Sequence, residues 1–164
     1  MRSIVLVAHN LRSCHNVGSL LRTAEGLGVK QVILSGYTPY PFTEHDVRLP
    51  HEARKTHAQI SKTALGAEDT VAWAHRVNVF DGIAELQRQG YEIYAIEQAA
   101  AAIQLPAFAP PQKCVLVVGR EVEGLELEVL SRCQGVLEIP MFGKKESFNV
   151  VQAAAMALYH CTFA

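Results

Sequence analysis

Three short polar segments of this chain carry the side chains that could do chemistry, and each is predicted to follow a run of apolar residues. Their polar members, in chain order, are Asn16, Arg22, Glu121, Ser147 and Asn149. A guanidinium, a carboxylate, a hydroxyl and two amides can position a substrate and stabilise developing negative charge. Each also has an ordinary explanation, because a surface arginine, a solvated glutamate or a helix-capping serine looks the same in a sequence.

Two of these segments lie where an apolar strand is predicted to end. Residues 115–118 form one apolar run before Gly119, and residues 136–139 form another before the segment that contains Ser147. A glycine-containing loop and then a predicted helix follow each run. Because ligands bind at the carboxyl ends of the strands of an open parallel sheet, two such ends close in sequence predict one composite pocket.

Strands and helices are predicted to alternate along the whole chain. The predicted strands are residues 3–8, 31–35, 70–75, 91–96, 114–118 and 136–139. The predicted helices are 17–27, 52–65, one that starts at Asn78 or Asp81 and reaches Gln89, 126–133 and 148–162. A length of 164 residues suits one domain with a full core and is short for two. We therefore predict a single α/β domain over residues 1–164, with a mostly parallel sheet flanked by helices.

The last predicted helix, residues 148–162, is apolar on almost every side. A helix of this kind is buried on all sides, which is easier in a small domain if a second chain covers one face. The small alanine side chains also permit close approach of two backbones. We therefore predict a homodimer that packs partly through this helix.

Composition excludes some classes of protein and leaves others open. The net charge of −1 gives no global signature of nucleic-acid binding, although residues 48–62 form a locally basic stretch that could equally be a solvated helix face. No apolar run is long enough to span a membrane. The four cysteines are scattered without a Cys-x-x-Cys pair, which predicts reduced core thiols in a cytoplasmic protein and no zinc site.

Common nucleotide-binding and hydrolase motifs are absent. The chain has no Gly-x-x-x-x-Gly-Lys-Ser/Thr loop, no Gly-x-Gly-x-x-Gly fingerprint and no Gly-x-Ser-x-Gly elbow. The seven histidines do not fall into a metal-ligand pattern. The chemistry of this chain must therefore be sought in the three polar segments.

Taken together, the three segments resemble the ordered motifs of the SpoU (TrmH) family, which are RNA ribose 2′-O-methyltransferases of the SPOUT superfamily. The pattern is Asn-x-Gly-x-x-x-Arg from Asn16, then Gly-x-Glu-x-x-Gly-Leu from Gly119, then Ile-Pro-Met and Ser-x-Asn before an alanine-rich helix. The resemblance covers essentially the whole chain. The sequence departs from the pattern at Phe148, where the family often has leucine, and at residues 151–152.

The resemblance implies a deep trefoil knot at the C-terminal end of the fold, with S-adenosylmethionine bound in a bent form within it. Family members hold this cofactor largely through backbone groups. By position the cofactor-binding residues are Ile96, Gly119, Ile139, Met141 and Ser147. Apolar side chains among them can enclose the adenine while nearby amides and carbonyls bond its edge.

The resemblance also implies that Arg22 has the central catalytic role. A guanidinium keeps its proton above about pH 12, so we expect Arg22 to clamp the adjacent phosphate and stabilise the developing alkoxide, and not to act as a base. Asn16 is expected to help hold Arg22 and the substrate. Glu121, Ser147 and Asn149 are expected to order the loops around them.

The expected partner is RNA that approaches over residues 36–62, and a second subunit is expected to complete the site. With no appended RNA-binding domain in the sequence, the chain resembles minimal family members that act on tRNA, so tRNA is favoured and rRNA stays open. Two other classes also stay open. One is a catalytically silent RNA-binding dimer of the same fold, and the other is an unrelated nucleotide-binding α/β enzyme that would bind ATP or NAD.

Overall fold

A seven-stranded parallel sheet forms the centre of the protein in a computed structural model that describes residues 1–164. Its strands are β1 (Ser3–His9), β2 (Gln31–Ser35), β3 (Trp73–Arg76), β4 (Glu92–Ile96), β5 (Ile103–Gln104), β6 (Lys113–Val118) and β7 (Gly135–Glu138). Their order across the sheet is β3-β2-β1-β6-β4-β7-β5, and every pairing is parallel. The predicted α/β fold with a parallel sheet is confirmed.

Helices cover both faces of this sheet. They are α1 (Cys14–Gly26), α2 (Pro50–Ala64), α3 (Ala67–Thr70), α4 (Val79–Arg88), α5 (Leu127–Leu130) and α6 (Val150–Phe163). Side chains of β1 alternate between two apolar cores, because successive residues of a strand point to opposite faces. Ile4 and Leu6 pack with α1, α2 and α6, whereas Val5 and Val7 pack with α4 and α5. None of the helices is both long and apolar enough to cross a membrane.

Several element boundaries differ from those predicted. The first helix begins at Cys14, because the hydroxyl of Ser13 accepts the backbone N–H of Asn16 and caps it. Thr70 ends the short helix α3, so the third strand starts only at Trp73. The predicted helix 126–133 is a single α-turn, because Cys133 N–H donates to the carbonyl of Leu130, three residues back.

The last helix, α6, is buried on one face only within the single chain. It packs against α1 and against β1, β4 and β6, and it buries Ala154, Ala157, Leu158 and Cys161. The opposite side carries two exposed aromatic rings, Tyr159 and Phe163, whose centroids lie 4.7 Å apart. The single chain therefore does not bury this helix on every side, and the homodimer stays a prediction.

Helices α1 and α2 pack closely at Gly18. A Cβ on Gly18 would lie 2.2 Å from the carbonyl oxygen of Ile60 and 2.2 Å from Oγ1 of Thr63. Because overpacking forces helices apart, we expect Gly18→Ala to lower the free energy of unfolding by about 1–3 kcal/mol, measured by urea denaturation. Gly26→Ala is the matched control, since a Cβ there meets nothing within 4 Å. Equal stability of the two variants would contradict this close packing.

Candidate functional site

A cavity of about 250 Å³ lies at the carboxyl ends of β6, β4 and β7, which are neighbours in the sheet. Its walls are the segments that follow these three strands and the first turns of α6. Half of the 18 lining residues are hydrophobic. All the predicted cofactor-binding residues line it, namely Ile96, Gly119, Ile139, Met141 and Ser147. The structure thus gathers into one cavity residues that are spread over 52 positions of the sequence.

The loop after β6, residues 119–124, folds tightly back on itself. Arg120 and Gly124 form an isolated antiparallel bridge, and Nε of Arg120 donates to the carbonyl of Gly124 at 3.1 Å. Gly124 has φ +69°, a left-handed conformation that favours glycine. A Cβ on Gly119 would lie only 2.8 Å from the carbonyl carbon of Gly124. The shape of this cavity wall therefore depends on both glycines.

Glu97 and Gln98, directly after β4, form hydrogen bonds to the other two cavity loops, after β6 and after β7. The carboxylate of Glu97 accepts the backbone N–H of Leu125 at 3.1 Å and that of Gln98 at 3.1 Å. Nε2 of Gln98 donates to the carbonyl of Glu146 at 2.5 Å. Neither Glu97 nor Gln98 belongs to the three polar segments that the sequence pattern singled out. Their position could have predicted a role at the cavity, because a polar segment immediately after a buried strand is also what indicated the loop after β6.

Glu121 joins the first and second polar segments. Its carboxylate accepts the side-chain N–H of Asn16 at 3.2 Å and the backbone N–H groups of Arg12 at 3.3 Å and Ser13 at 3.2 Å. Burial acts to raise the pKa of Glu121, but hydrogen bonds to its charged form hold that pKa below its usual value. The contact holds the start of α1 against the cavity rim.

The third polar segment contributes one residue to the cavity lining and one to the N-cap of α6. Ser147 lines the cavity, and Asn149 is the N-cap of α6, where its Oδ1 accepts the backbone N–H of Val151 at 2.9 Å. The alternative of Ser147 as the helix cap is therefore wrong. Asn149 fixes where α6 begins, and with it the wall formed by the first turns of that helix.

Arg22 is the one predicted catalytic residue that the single chain does not bring near the cavity. It is exposed on α1, lies outside the cavity lining, and lies six residues beyond Asn16, or about 9 Å along the helix axis. The side chain of Asn16 bonds to Glu121 and not to Arg22. Within the single chain Asn16 therefore positions the loop after β6, and a role for Asn16 in holding Arg22 stays a prediction.

The charges around the cavity are mostly negative. Four carboxylates and one guanidinium line it, namely Glu97, Glu121, Glu123, Glu146 and Arg120. Such a lining favours a ligand that carries positive charge and opposes a ligand that carries several phosphates. The apolar residues beneath can enclose an aromatic ring.

A buried histidine, His9, lies at the end of β1 on the opposite face of the sheet from α1. Its Nδ1 lies 3.0 Å from Oγ of Ser35, and its Nε2 lies 3.3 Å from a carboxylate oxygen of Glu126. Burial lowers the pKa of His9 below 6.5, although the nearby Glu126 carboxylate acts to raise it. The neutral form of His9 is therefore the one that the folded protein prefers.

This preference predicts how stability changes with pH. As the pH falls, the unfolded chain takes up a proton at His9 near pH 6.5, before the folded chain does. The contribution of His9 to the free energy of unfolding is therefore fully present above about pH 6.5 and is lost as the pH drops toward the folded-state pKa. We expect His9→Gln to have a flatter dependence between about pH 7 and pH 5, measured by urea denaturation. His51→Gln, which changes an exposed residue of α2, should keep the parent slope. An unchanged slope in His9→Gln would show that His9 does not cause it.

The sequence profile of the SpoU rRNA methylase family matches residues 3–159 of this chain. The chain is 30% identical over 159 residues to the 23S rRNA (guanosine-2′-O-)-methyltransferase RlmB of Xanthomonas axonopodis pv. citri. That match covers 96% of this chain and 57% of the relative, so the chain spans little more than half the length of that protein.

Two solved structures show the same fold. The AdoMet-bound rRNA methyltransferase from Sinorhizobium meliloti superposes with a TM-score of 0.81 at 22% identity, over 97% of this chain and 55% of that one. A structure described as giving insights into the 2-OH methylation of C/U34 on tRNA superposes with a TM-score of 0.75 at 24% identity. This second match covers 98% of this chain and 94% of the other.

Proposed function

This chain belongs to the SpoU rRNA methylase family, and from that premise we propose that it is an S-adenosylmethionine-dependent RNA ribose 2′-O-methyltransferase. The observation that carries the proposal is the cavity at the ends of β4, β6 and β7, with Glu121 and Asn16 in contact at its rim. A relative of 30% identity named as a guanosine-2′-O-methyltransferase supports the ribose hydroxyl as the acceptor.

The cavity fits S-adenosylmethionine better than it fits ATP or NAD. Four lining carboxylates suit a positively charged sulfonium and oppose a chain of phosphates. Ile96, Ile139 and Met141 offer apolar surface for the adenine. When bound, this cofactor would supply a methyl group that its sulfonium sulfur has already activated.

The protein must then position a ribose hydroxyl in line with that methyl group and stabilise the oxygen as it loses its proton. We propose that Arg22 does both, because it binds the adjacent phosphate and the developing alkoxide while the hydroxyl proton passes to solvent water. Because its guanidinium stays protonated, its contribution is electrostatic. Glu121, Ser147 and Asn149 order the loops that frame this reaction.

The exposed position of Arg22 supports a site shared between two copies of the chain. Helices α1 and α6 pack side by side, so a homodimer formed through the exposed rings of Tyr159 and Phe163 would also bring α1 close to the second copy. We propose that Arg22 of each copy serves the cavity of the other. An isologous dimer of this kind would carry two equivalent composite sites.

The trefoil knot implied by the family resemblance is part of the same proposal. It is supported by the path of α6, which follows β7 in sequence but packs against β1, β4 and β6. The cavity rim is likewise built from segments before and after β7. We also propose a cytoplasmic location, which is supported by four cysteines that are all unpaired.

We propose tRNA as the RNA substrate, with rRNA as the second candidate. One structure that this chain covers almost evenly, at 98% and 94% of the two chains, is described as concerned with tRNA. The relative named for 23S rRNA is covered over only 57% of its length. RNA would approach over residues 36–62. The exposed lysine and arginine residues there are Arg54, Lys55 and Lys62, whereas Arg48 is partly buried and paired with Asp46.

Titration calorimetry with S-adenosylmethionine, ATP and NAD tests the cofactor, and binding of S-adenosylmethionine alone is expected. Mass mapping of 2′-O-methylated nucleotides in RNA from a strain that lacks the chain tests the substrate. A missing methyl group in tRNA would support the proposal, and one in rRNA would favour the second candidate. Binding of the cofactor without methyl transfer to any RNA would instead indicate a catalytically silent RNA-binding dimer.

A further inference from the structure

An exposed tyrosine and an exposed arginine lie on neighbouring segments, after β2 and β1, next to the cavity rim. Tyr37 follows β2 and is 53% exposed, and the side chain of Arg12, after β1, is 65% exposed. Nη2 of Arg12 donates to the carboxylate of Glu123, a cavity-lining residue, at 3.0 Å. The segments that carry the two residues are hydrogen-bonded to each other, because Leu11 N–H donates to Oγ1 of Thr38 at 3.0 Å and Tyr37 N–H donates to Oδ1 of Asn10 at 3.0 Å. The pair therefore borders the cavity and still faces solvent.

The backbone of Tyr37 is held by a hydrogen bond, although its ring is exposed to solvent. Its N–H donates to Oδ1 of Asn10 at 3.0 Å, and Nδ2 of Asn10 donates to Glu126 at 3.3 Å. Asn10 and Gly36 both have positive φ, and a Cβ on Gly36 would lie 1.9 Å from Oδ1 of Asn10. The chain thus keeps one non-glycine residue, Asn10, in a left-handed conformation beside a ring that its own core does not use.

The rest of the loop between β2 and α2 is also fixed by polar contacts. Arg48 donates to Asp46 at 2.8 and 2.5 Å, to the carbonyl of Tyr40 at 2.9 Å and to the carbonyl of Pro41 at 3.1 Å. Its guanidinium also lies 3.6 Å from the centre of the Tyr40 ring. A loop held at so many points keeps Tyr37 in place before any ligand arrives, which lowers the cost of binding.

We propose that Arg12 and Tyr37 form a seat for one unpaired nucleotide of the RNA substrate, in which the Tyr37 ring stacks on the base and Arg12 binds the phosphate. This inference rests on the proposed function and specifies how that site takes its substrate. The carboxylates of the cavity repel a phosphate, so a cation at their edge is needed to hold one there. Stacking requires a free base face, which a base-paired duplex lacks in its interior.

Fluorescence can detect the stacking directly. In Tyr37→Trp, a single-stranded polyadenylate of about 12 nucleotides should quench the added fluorescence, whereas the same strand annealed to polyuridylate should not. The parent protein has one tryptophan, the partly buried Trp73, which supplies a constant background. Equal quenching by single strand and duplex, or no quenching by either, would overturn the seat.

Kinetics of methyl transfer separate stacking from simple apolar contact. Tyr37→Leu keeps apolar volume but loses the aromatic face, so the KM for RNA should rise by about tenfold, and by less in Tyr37→Phe. Arg12→Gln should also raise this KM and reduce its dependence on salt. The kcat at saturating RNA and the Kd for S-adenosylmethionine should stay near the parent values in all three variants.

Leu127→Ala is the matched control, because Leu127 is an 85% exposed apolar residue on the other face of the sheet, and its KM should not change. If the parent methylates RNA and Tyr37→Leu has the parent KM, the seat is wrong and the proposed function stands. If the parent neither binds S-adenosylmethionine nor transfers a methyl group, the proposed function is wrong, and the fluorescence titration still decides whether Tyr37 stacks on RNA.

Discussion

Replacing Arg22 with lysine is expected to lower kcat by about 10²–10³-fold, the usual loss when one preorganised donor to a developing oxyanion is removed. Lysine keeps the charge but lacks the planar fork that can bind a phosphate and a neighbouring oxygen together. The Kd for S-adenosylmethionine should not change, because Arg22 lies outside the cavity lining. Single-turnover methyl transfer and calorimetry measure the two quantities separately.

The matched control for this substitution is Arg88→Lys, which changes an exposed arginine near the end of α4, on the other face of the sheet. It should keep the parent kcat. Both variants should retain parent stability, since exposed substitutions of this kind alter it little. Normal turnover by Arg22→Lys would show that the role given to this arginine is wrong.

A mixture of two inactive variants can show whether Arg22 acts across subunits. Arg22→Lys chains keep the native cavity residues, and chains with an inactivating substitution in the cavity keep the native Arg22. If the site is shared, a randomly assorted equal mixture should recover about a quarter of the parent activity, because half of the dimers then hold one complete site. No recovery in a mixture shown to exchange subunits would place Arg22 with its own cavity.

Gly119→Ala is expected to weaken binding of S-adenosylmethionine by about 10- to 100-fold. The new Cβ would lie 2.8 Å from the backbone of Gly124 and 2.8 Å from the side chain of Leu125, so the loop after β6 must move. Overpacking of this kind costs about 1–3 kcal/mol, and each 1.4 kcal/mol corresponds to about tenfold in Kd. Calorimetry gives the affinity, and thermal unfolding checks that the variant is folded.

Gly143→Ala provides the comparison for Gly119→Ala. Gly143 lies in the neighbouring loop between β7 and α6, but a Cβ there meets nothing within 4 Å. Its affinity for S-adenosylmethionine should therefore match that of the parent. The same affinity in both glycine variants would mean that the tight fold of residues 119–124 does not shape the binding site.

The sheet and the cavity were predictable because both depend on local patterns. Each long strand is a run of apolar residues, and Gly119 and Ile139 follow or end such runs where ligands bind in parallel sheets. The two-residue strand β5 was not predicted, since so short a segment carries no periodicity. It is a strand only because β7 pairs with it.

The contacts of the polar residues were less predictable, because they join segments far apart in sequence. Asn16 and Arg22 share a helix, which suggested a shared role, but the partner of Asn16 is Glu121, 105 residues away. Arg12 and Tyr37 gave no motif of their own. Their proximity arises from the parallel pairing of β1 with β2, which brings the segments after both strands to the same edge of the sheet.

Methyl transfer from S-adenosylmethionine that carries a trideuterated methyl group tests the central claim most directly. The purified protein would be incubated with this cofactor and total RNA from a strain that lacks the chain, and the nucleosides would be analysed by fragmentation mass spectrometry. We predict label on the ribose fragment of one nucleoside, with much less transfer by Arg22→Lys. Label on a base, or no transfer to any RNA by a protein that is folded, would contradict the account.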